Sequence, residues 1–220
     1  MIKNIVIMIN LTFLLSCSSF PLNNIAPGYL ETFKSIKNAV LGFEDSFITR
    51  ELVNNIPYAS KTLKIGKGPK GLMILESINK DEMIWISADP IYLVTKNGRI
   101  IKTEGLENDL KGVIYPRISF EEILEKPTNL LTSYYSYDNP ELNNLELKIR
   151  YFVQAKEEVF ILNTKYDLTL VEEVVSNDKL GWNFKNLYWL DENFYVWKSQ
   201  QTINPKIPEF TIEVTKKPSF

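Results

Sequence analysis

Between residues 91–95 and 99–103, two short runs rich in β-branched and apolar side chains, the chain reads Asn97-Gly98. Both residues tolerate the positive φ that a type I′ turn imposes, so the pair commits its flanks to an antiparallel hairpin. The same punctuation recurs. Residues 58–65 predict a strand, 66–71 (GKGPKG) a turn, and 72–78 with 83–87 a hairpin about Asn79-Lys80-Asp81. Segments 132–137, 145–155, 158–164 and 169–176 predict further strands. Segments 187–190 and 195–201 predict a late hairpin, and 210–215 a last strand after Pro205 and Pro208. Helical signals are few. Leu30, Phe33, Ile36 and Val40 recur at helical spacing over 29–41, before Gly42. Residues 50–55 predict a short turn before Pro57, and Ser119-Phe120-Glu121-Glu122 is a capping box opening a connecting helix that Pro127 ends. The expected class is mainly β, with a short N-terminal helix and one short connecting helix.

Two hairpins align with one another. Tyr92 to Thr103 matches Tyr188 to Ser199 at a Tyr, an Asn, a β-branched residue, a Lys and a hydroxyl residue. Trp85 and Trp182 precede them, one residue out of register. The match admits either a repeated β-unit or coincidence. Asn193-Phe194 stands where the first copy has Asn97-Gly98. A bulky side chain is strained at positive φ, so the second turn is expected to differ in type.

The N-terminus carries its own signal. Lys3 precedes an apolar run over 5–15 broken only by Asn10 and Thr12. That run is too short for a bilayer core, which needs about 20 helical residues, and fits the apolar region of an export signal. Leu14-Leu15-Ser16-Cys17 then has the lipobox arrangement, in which the thiol becomes a thioether to diacylglycerol before cleavage. A buried segment that happens to contain Cys is the bland alternative. The expectation is a cleaved signal over 1–16, a lipidated tether over 17–28 beginning at Cys17, and one β-rich domain over 29–220. Ser18 rather than Asp after the cysteine favours the outer membrane, with the domain facing the periplasm.

Composition narrows the chemistry. The chain has no histidine and one cysteine. That excludes a Ser-His-Asp triad, a histidine-based zinc site and, once Cys17 is lipidated, a thiol nucleophile or disulfide. No cofactor is expected. A net charge of −2 without basic clusters argues against nucleic acid as a partner. Aromatic residues at 12% suit a β core or a carbohydrate surface.

An ordered set of short matches resembles the YjbF/GfcB family of group 4 capsule polysaccharide lipoproteins. Its pieces are the lipobox; Ile56-Pro57-Tyr58-Ala59-Ser60; Trp85; Leu93-Val94-Thr95; Asn97-Gly98-Arg99; Lys102-Thr103; and Gly105-Leu106. A closing block follows with Glu172-Glu173, Ser176, Asn186-Leu187-Tyr188-Trp189, Asp191, Val196-Trp197-Lys198-Ser199 and Gln201. Phe194 departs from the glycine expected in the second hairpin, and 128–146 contribute none of these matching pieces. The resemblance implies curved antiparallel sheets, sandwich or half-barrel-like, and an outer-membrane lipoprotein encoded with capsule or exopolysaccharide export genes. It implies no catalytic residue.

Carboxylate pairs are the remaining acid–base equipment: Asp81/Glu82, Glu121/Glu122, Glu157/Glu158 and Glu172/Glu173. A glycosidase needs two carboxyls facing one another across a sugar, and neighbours on a strand face opposite ways. Solvated surface acids are the default reading of these pairs. Tyr135 and Tyr137 share one face of a strand opposite Tyr134 and could stack on sugar; an ordinary strand with one aromatic face explains them as well. Arg99 and Lys102 could meet acidic polysaccharide or a partner protein, or lie on a hairpin's solvated side. Asp191 and Glu172 suit structural bonds to backbone or tryptophan N–H groups near Trp189 and Trp197. The expected function is a non-catalytic accessory factor in capsule or exopolysaccharide export, held to the membrane by lipid on Cys17 and meeting other export proteins and polysaccharide. The alternatives are a hydrophobic-ligand carrier, or a carboxylate-based glycan hydrolase.

Overall fold

A computed structural model describes residues 48–89, 91–126 and 130–219. The expected signal, Cys17, the tether, the 29–41 helix and Pro127 lie outside the described residues.

Twelve strands form one antiparallel sheet. They are β1 (Ser60–Ile65), β2 (Lys70–Asn79), β3 (Glu82–Ser87), β4 (Tyr92–Lys96), β5 (Arg99–Glu104), β6 (Leu110–Ile114), β7 (Leu131–Tyr137), β8 (Leu142–Ile161), β9 (Thr164–Asn177), β10 (Trp182–Leu190), β11 (Val196–Gln201) and β12 (Phe210–Lys216). Among the described residues two short helices accompany them, α1 (Arg50–Asn55) and α2 (Phe120–Glu125). The strand order is β5-β4-β3-β2-β1-β12-β11-β10-β9-β8-β7-β6, so two meanders are joined by the long-range pairing of β1 with β12. The sheet curls until its two edges, β5 and β6, meet. Barrel closure removes the edge strands that would otherwise invite association. Here the last gap is spanned by side chains. Asp109 accepts from the Thr103 hydroxyl at 2.8 Å and from the Gly105 N–H at 2.9 Å, and the Leu110 N–H donates to Thr103 Oγ1.

Turn chemistry explains the strand order locally. Asn97 and Gly98 take φ 49° and 77°, the type I′ pair that the sequence demands. The second hairpin does differ, with Asp191 N–H bonded to Tyr195 O and Phe194 N–H to Asp191 O. Phe194 nevertheless sits at φ 60°. Both hairpins lie in the same sheet.

Three expectations need correction. The predicted strands 145–155 and 158–164 are one twenty-residue strand, β8. Lys156-Glu157 does not break it, because the extra length is absorbed where the pairing with β9 shifts between Val153 and Lys156. The turn that follows is Leu162-Asn163, both at positive φ, so β9 begins at Thr164 rather than 169. Strand β6 has no counterpart in the prediction. Its Gly112 and irregular burial mask the alternation on which a strand is read.

The capping box forms as expected: Ser119 Oγ accepts from Glu122 N–H, and Glu122 accepts from Ser119 N–H. It anchors α2 so that Phe120 and Ile123 are buried in the core with Trp85, Tyr135, Tyr137 and Tyr188.

Candidate functional site

The interior face of the sheet carries a charged network. Arg99 begins β5, and Glu173 lies in mid-β9, 0% exposed. Glu173 accepts from Tyr151 Oη at 2.7 Å, Asn186 Nδ2 at 2.6 Å and Tyr188 Oη at 3.2 Å. Arg99 donates to Tyr151 Oη at 3.3 Å, and its Nε stands 3.8 Å from Glu173. The guanidinium lies 3.9 Å from the centre of the Phe120 ring. Burial disfavours the Arg99 charge, but Tyr151 and Glu173 outweigh it and push the arginine pKa up. Burial also pushes the Tyr151 and Tyr188 hydroxyls well above the ordinary tyrosine value. Gln201 ties this network to the first hairpin, accepting from Ile100 N–H at 2.9 Å and donating to Gly98 O at 3.0 Å.

Beside the network, where the tips of the β4–β5 and β10–β11 hairpins converge, lies a pocket of about 340 Å³. The approach is close. A Cβ on Gly98 would come within 2.5 Å of Val196 Cβ, so glycine is required there by space as well as by φ. Trp85 and Lys61 line the pocket together with Phe120, Phe194, Tyr195 and Trp197. Asp191 fixes the second tip, accepting from the N–H groups of Asn193 and Tyr195 and from Trp197 Nε1, each at 2.9 Å. Lys61 is 3% exposed. Its ammonium contacts Thr95 Oγ1 at 3.4 Å and stands 3.9 Å from the Trp85 ring centre, while Trp85 Nε1 donates to the same Thr95 hydroxyl. With no carboxylate among these contacts, burial pushes the Lys61 ammonium well below the ordinary lysine value.

The residues singled out in the sequence are dispersed by the fold. Arg99 is on no solvated side; it is inside. Tyr135 and Tyr137 do share a face, but it is the interior one, and each is 1% exposed. Their hydroxyls meet Tyr115 Oη at 3.0 Å and Ile203 O at 2.6 Å. Lys102 lies outside, 3.6 Å from Glu104. Asp191 has the structural role expected, whereas Glu172 pairs with Lys185 and Trp189 Nε1 donates to Glu157. Glu173 is not the solvated acid expected. Lys61 was not singled out at all, since a lone lysine in a strand ordinarily reaches solvent. Glu173 had a signal: in Glu172-Glu173 one carboxylate must face the inside of any closed sheet. Residues that carried the resemblance converge here, Arg99, Glu173, Asn186 and Gln201 in the network and Trp85, Thr95 and Trp197 around the pocket. Among the described residues, no group of three or more acidic or cysteine side chains is placed to hold a metal ion.

The family model for group 4 capsule polysaccharide lipoprotein GfcB, YjbF matches residues 33–215. The uncharacterized lipoprotein YjbF of Escherichia coli (strain K12) is 22% identical over 175 residues, covering 78% of this chain and 81% of the relative. The uncharacterized lipoprotein GfcB of the same organism is 29% identical over 84 residues, 38% of either chain. The crystal structure of the hypothetical lipoprotein YmcC from Escherichia coli (K12) superposes with a TM-score of 0.72 at 19% identity, covering 89% of this chain and 98% of that one. That last likeness is one of fold.

Proposed function

The chain belongs to the family of group 4 capsule polysaccharide lipoproteins, GfcB and YjbF, and from that premise we propose an outer-membrane lipoprotein that serves capsule or exopolysaccharide export as a non-catalytic accessory factor. In this reading residues 1–16 are removed, Cys17 carries the lipid, and residues 17–28 tether the domain on the periplasmic side. Two signals suffice for stable anchoring, and a fully acylated cysteine exceeds them. The observation that carries the reading is the pocket. Among its described lining residues stand three lysines (Lys61, Lys198, Lys217) and one carboxylate, Glu121. Glycoside hydrolysis calls for two facing carboxyls, so this lining supports contact with polysaccharide or a partner protein rather than cleavage. The packed tyrosines and the Arg99–Glu173 pair inside the sheet likewise support this reading over a carrier of apolar ligands.

The test is genetic. In a strain that makes the polysaccharide, deletion is expected to lower surface or secreted polysaccharide, restored by the wild-type chain. Cys17→Ser is expected to leave the membrane fraction and to fail to restore it. Unchanged polysaccharide in the deletion strain removes the export role, and a membrane-bound Cys17→Ser protein removes the anchor.

A further inference from the structure

We propose that the pocket between the two hairpin tips binds a hexuronate residue of a polysaccharide, with the sugar against the aromatic wall and its carboxylate on the ammonium of Lys61. This assignment rests on the polysaccharide reading above and adds the chemical class of the ligand and the residue that selects it.

The two buried basic side chains among the described residues are treated differently by their surroundings. Arg99 has Glu173 and Tyr151 beside it. Lys61 has a neutral threonine hydroxyl and an indole face. Burying an ammonium without an anion is costly, and an unpaired buried charge is ordinarily removed by substitution or by pairing. Lys61 differs from Arg99 in a second respect: it lines a cavity open to solvent, so its missing anion can arrive from outside. A carboxylate entering there gains a charge-assisted bond in a partly dry site, where such bonds are strongest.

The rest of the lining fits a sugar acid better than a bare anion. Trp197 is held on the pocket wall by Asp191 and packs edge-on against Tyr195, ring centres 5.4 Å apart. Phe120 and Phe194 extend this apolar surface. The ring of Phe194, 37% exposed, offers a face to the C–H side of a pyranose, for which an inorganic anion has no use, while Trp197 and Phe120 are backed by Tyr166 and Arg99. At about 340 Å³ the cavity lies at the lower end of the range for small-ligand sites, of order 300–1,000 Å³. Lys198 and Lys217 stand at the lining too, but each has an acid within 4.0 Å, Glu213 and Asp191 respectively. They set a positive approach and leave the selective contact to Lys61.

The experiment uses the full-length lipoprotein in detergent and follows tryptophan fluorescence, to which Trp85 and Trp197 report from the pocket. Oligogalacturonate and oligoglucuronate are titrated beside neutral galactose and glucose oligomers and inorganic phosphate. Saturable binding of either acidic oligomer, with neutral oligomers at least about tenfold weaker, is expected. Lys61→Met is expected to weaken the acidic oligomer by about 10- to 100-fold while leaving the far-ultraviolet circular dichroism unchanged. Lys102→Gln, outside the pocket, is expected to bind as the wild type does. The proposal is overturned if neither acidic oligomer binds, if neutral oligomers bind equally well, if phosphate alone reproduces the effect, or if Lys61→Met binds unchanged. Such a failure alongside a deletion strain that still loses polysaccharide sinks the pocket assignment and spares the export role. Binding that survives in a strain indifferent to deletion does the reverse.

Discussion

Glu173 makes three hydrogen bonds and one ion-pair contact without any exposure, and its removal tests whether the interior network is structural. Deleting one partner of a buried pair leaves the other charge uncompensated, a loss of about 3–5 kcal/mol. Glu173→Ala is therefore expected to lower Tm by roughly 10 °C in thermal unfolding followed by circular dichroism. Glu173→Gln, which keeps a hydrogen-bonding group for Asn186 and Tyr188, is expected to fall between. A Tm within about a degree of the wild type would mean the packed tyrosines hold Arg99 without it. At this scale the sequence was least legible. Residue type gives Glu and Lys a strong prior for solvent, and only a closed sheet turns Glu173 and Lys61 inward. Asp191 was readable because its task is local, capping a turn and reaching a tryptophan six residues on.

Among the elements, the β10–β11 turn is at odds with its own sequence. Phe194 occupies φ 60° while its ring is 37% exposed at the pocket. A non-glycine side chain in that region costs on the order of 1–2 kcal/mol. Phe194→Gly is expected to raise unfolding stability in urea by about 0.5–1 kcal/mol, the relief being offset by backbone entropy. A loss of stability instead would show that the ring's packing outweighs the strain. Hairpins with Asn-Gly or Asn-Lys-Asp turns were legible because the turn residues themselves demand the geometry. Strand β8 was not, because a polar Lys156-Glu157 step in a bulged strand looks like a loop until its partner β9 is known. Leu162 hid the next turn, since leucine seldom adopts φ 46°.

For the whole molecule, the buried hydroxyls set an alkaline limit. Burial raises the pKa of Tyr115, Tyr135, Tyr137, Tyr151, Tyr188 and Tyr195 above the ordinary value near 10. A raised folded pKa means the unfolded chain releases protons first, so their contribution is complete below about pH 10 and is lost as pH rises beyond it. Lys61 acts with the opposite sign. Its lowered pKa favours folding as pH climbs toward its unfolded value of 10.5, and then adds nothing more. Six tyrosines against one lysine predict a Tm that drops steeply above about pH 10, with the buried tyrosines' share of the tyrosinate absorbance appearing together with unfolding. Ionisation of every tyrosine near pH 10 in protein that remains folded would contradict the burial of these rings. The overall class, antiparallel and curled, was legible from punctuation and resemblance. Closure was not, because the β5–β6 clasp is made by Thr103 and Asp109 rather than by a strand pattern.

The contact of Gly98 with Val196 joins strands that stand on opposite arcs of the sheet order. It works as a spoke across a wheel whose rim is fastened by a single buckle. A cavity seated on a spoke cannot widen by bending one strand; both arcs must part together. Whatever enters beside Lys61 is therefore gauged by the span of the whole wheel, and that span is set by a residue with no side chain.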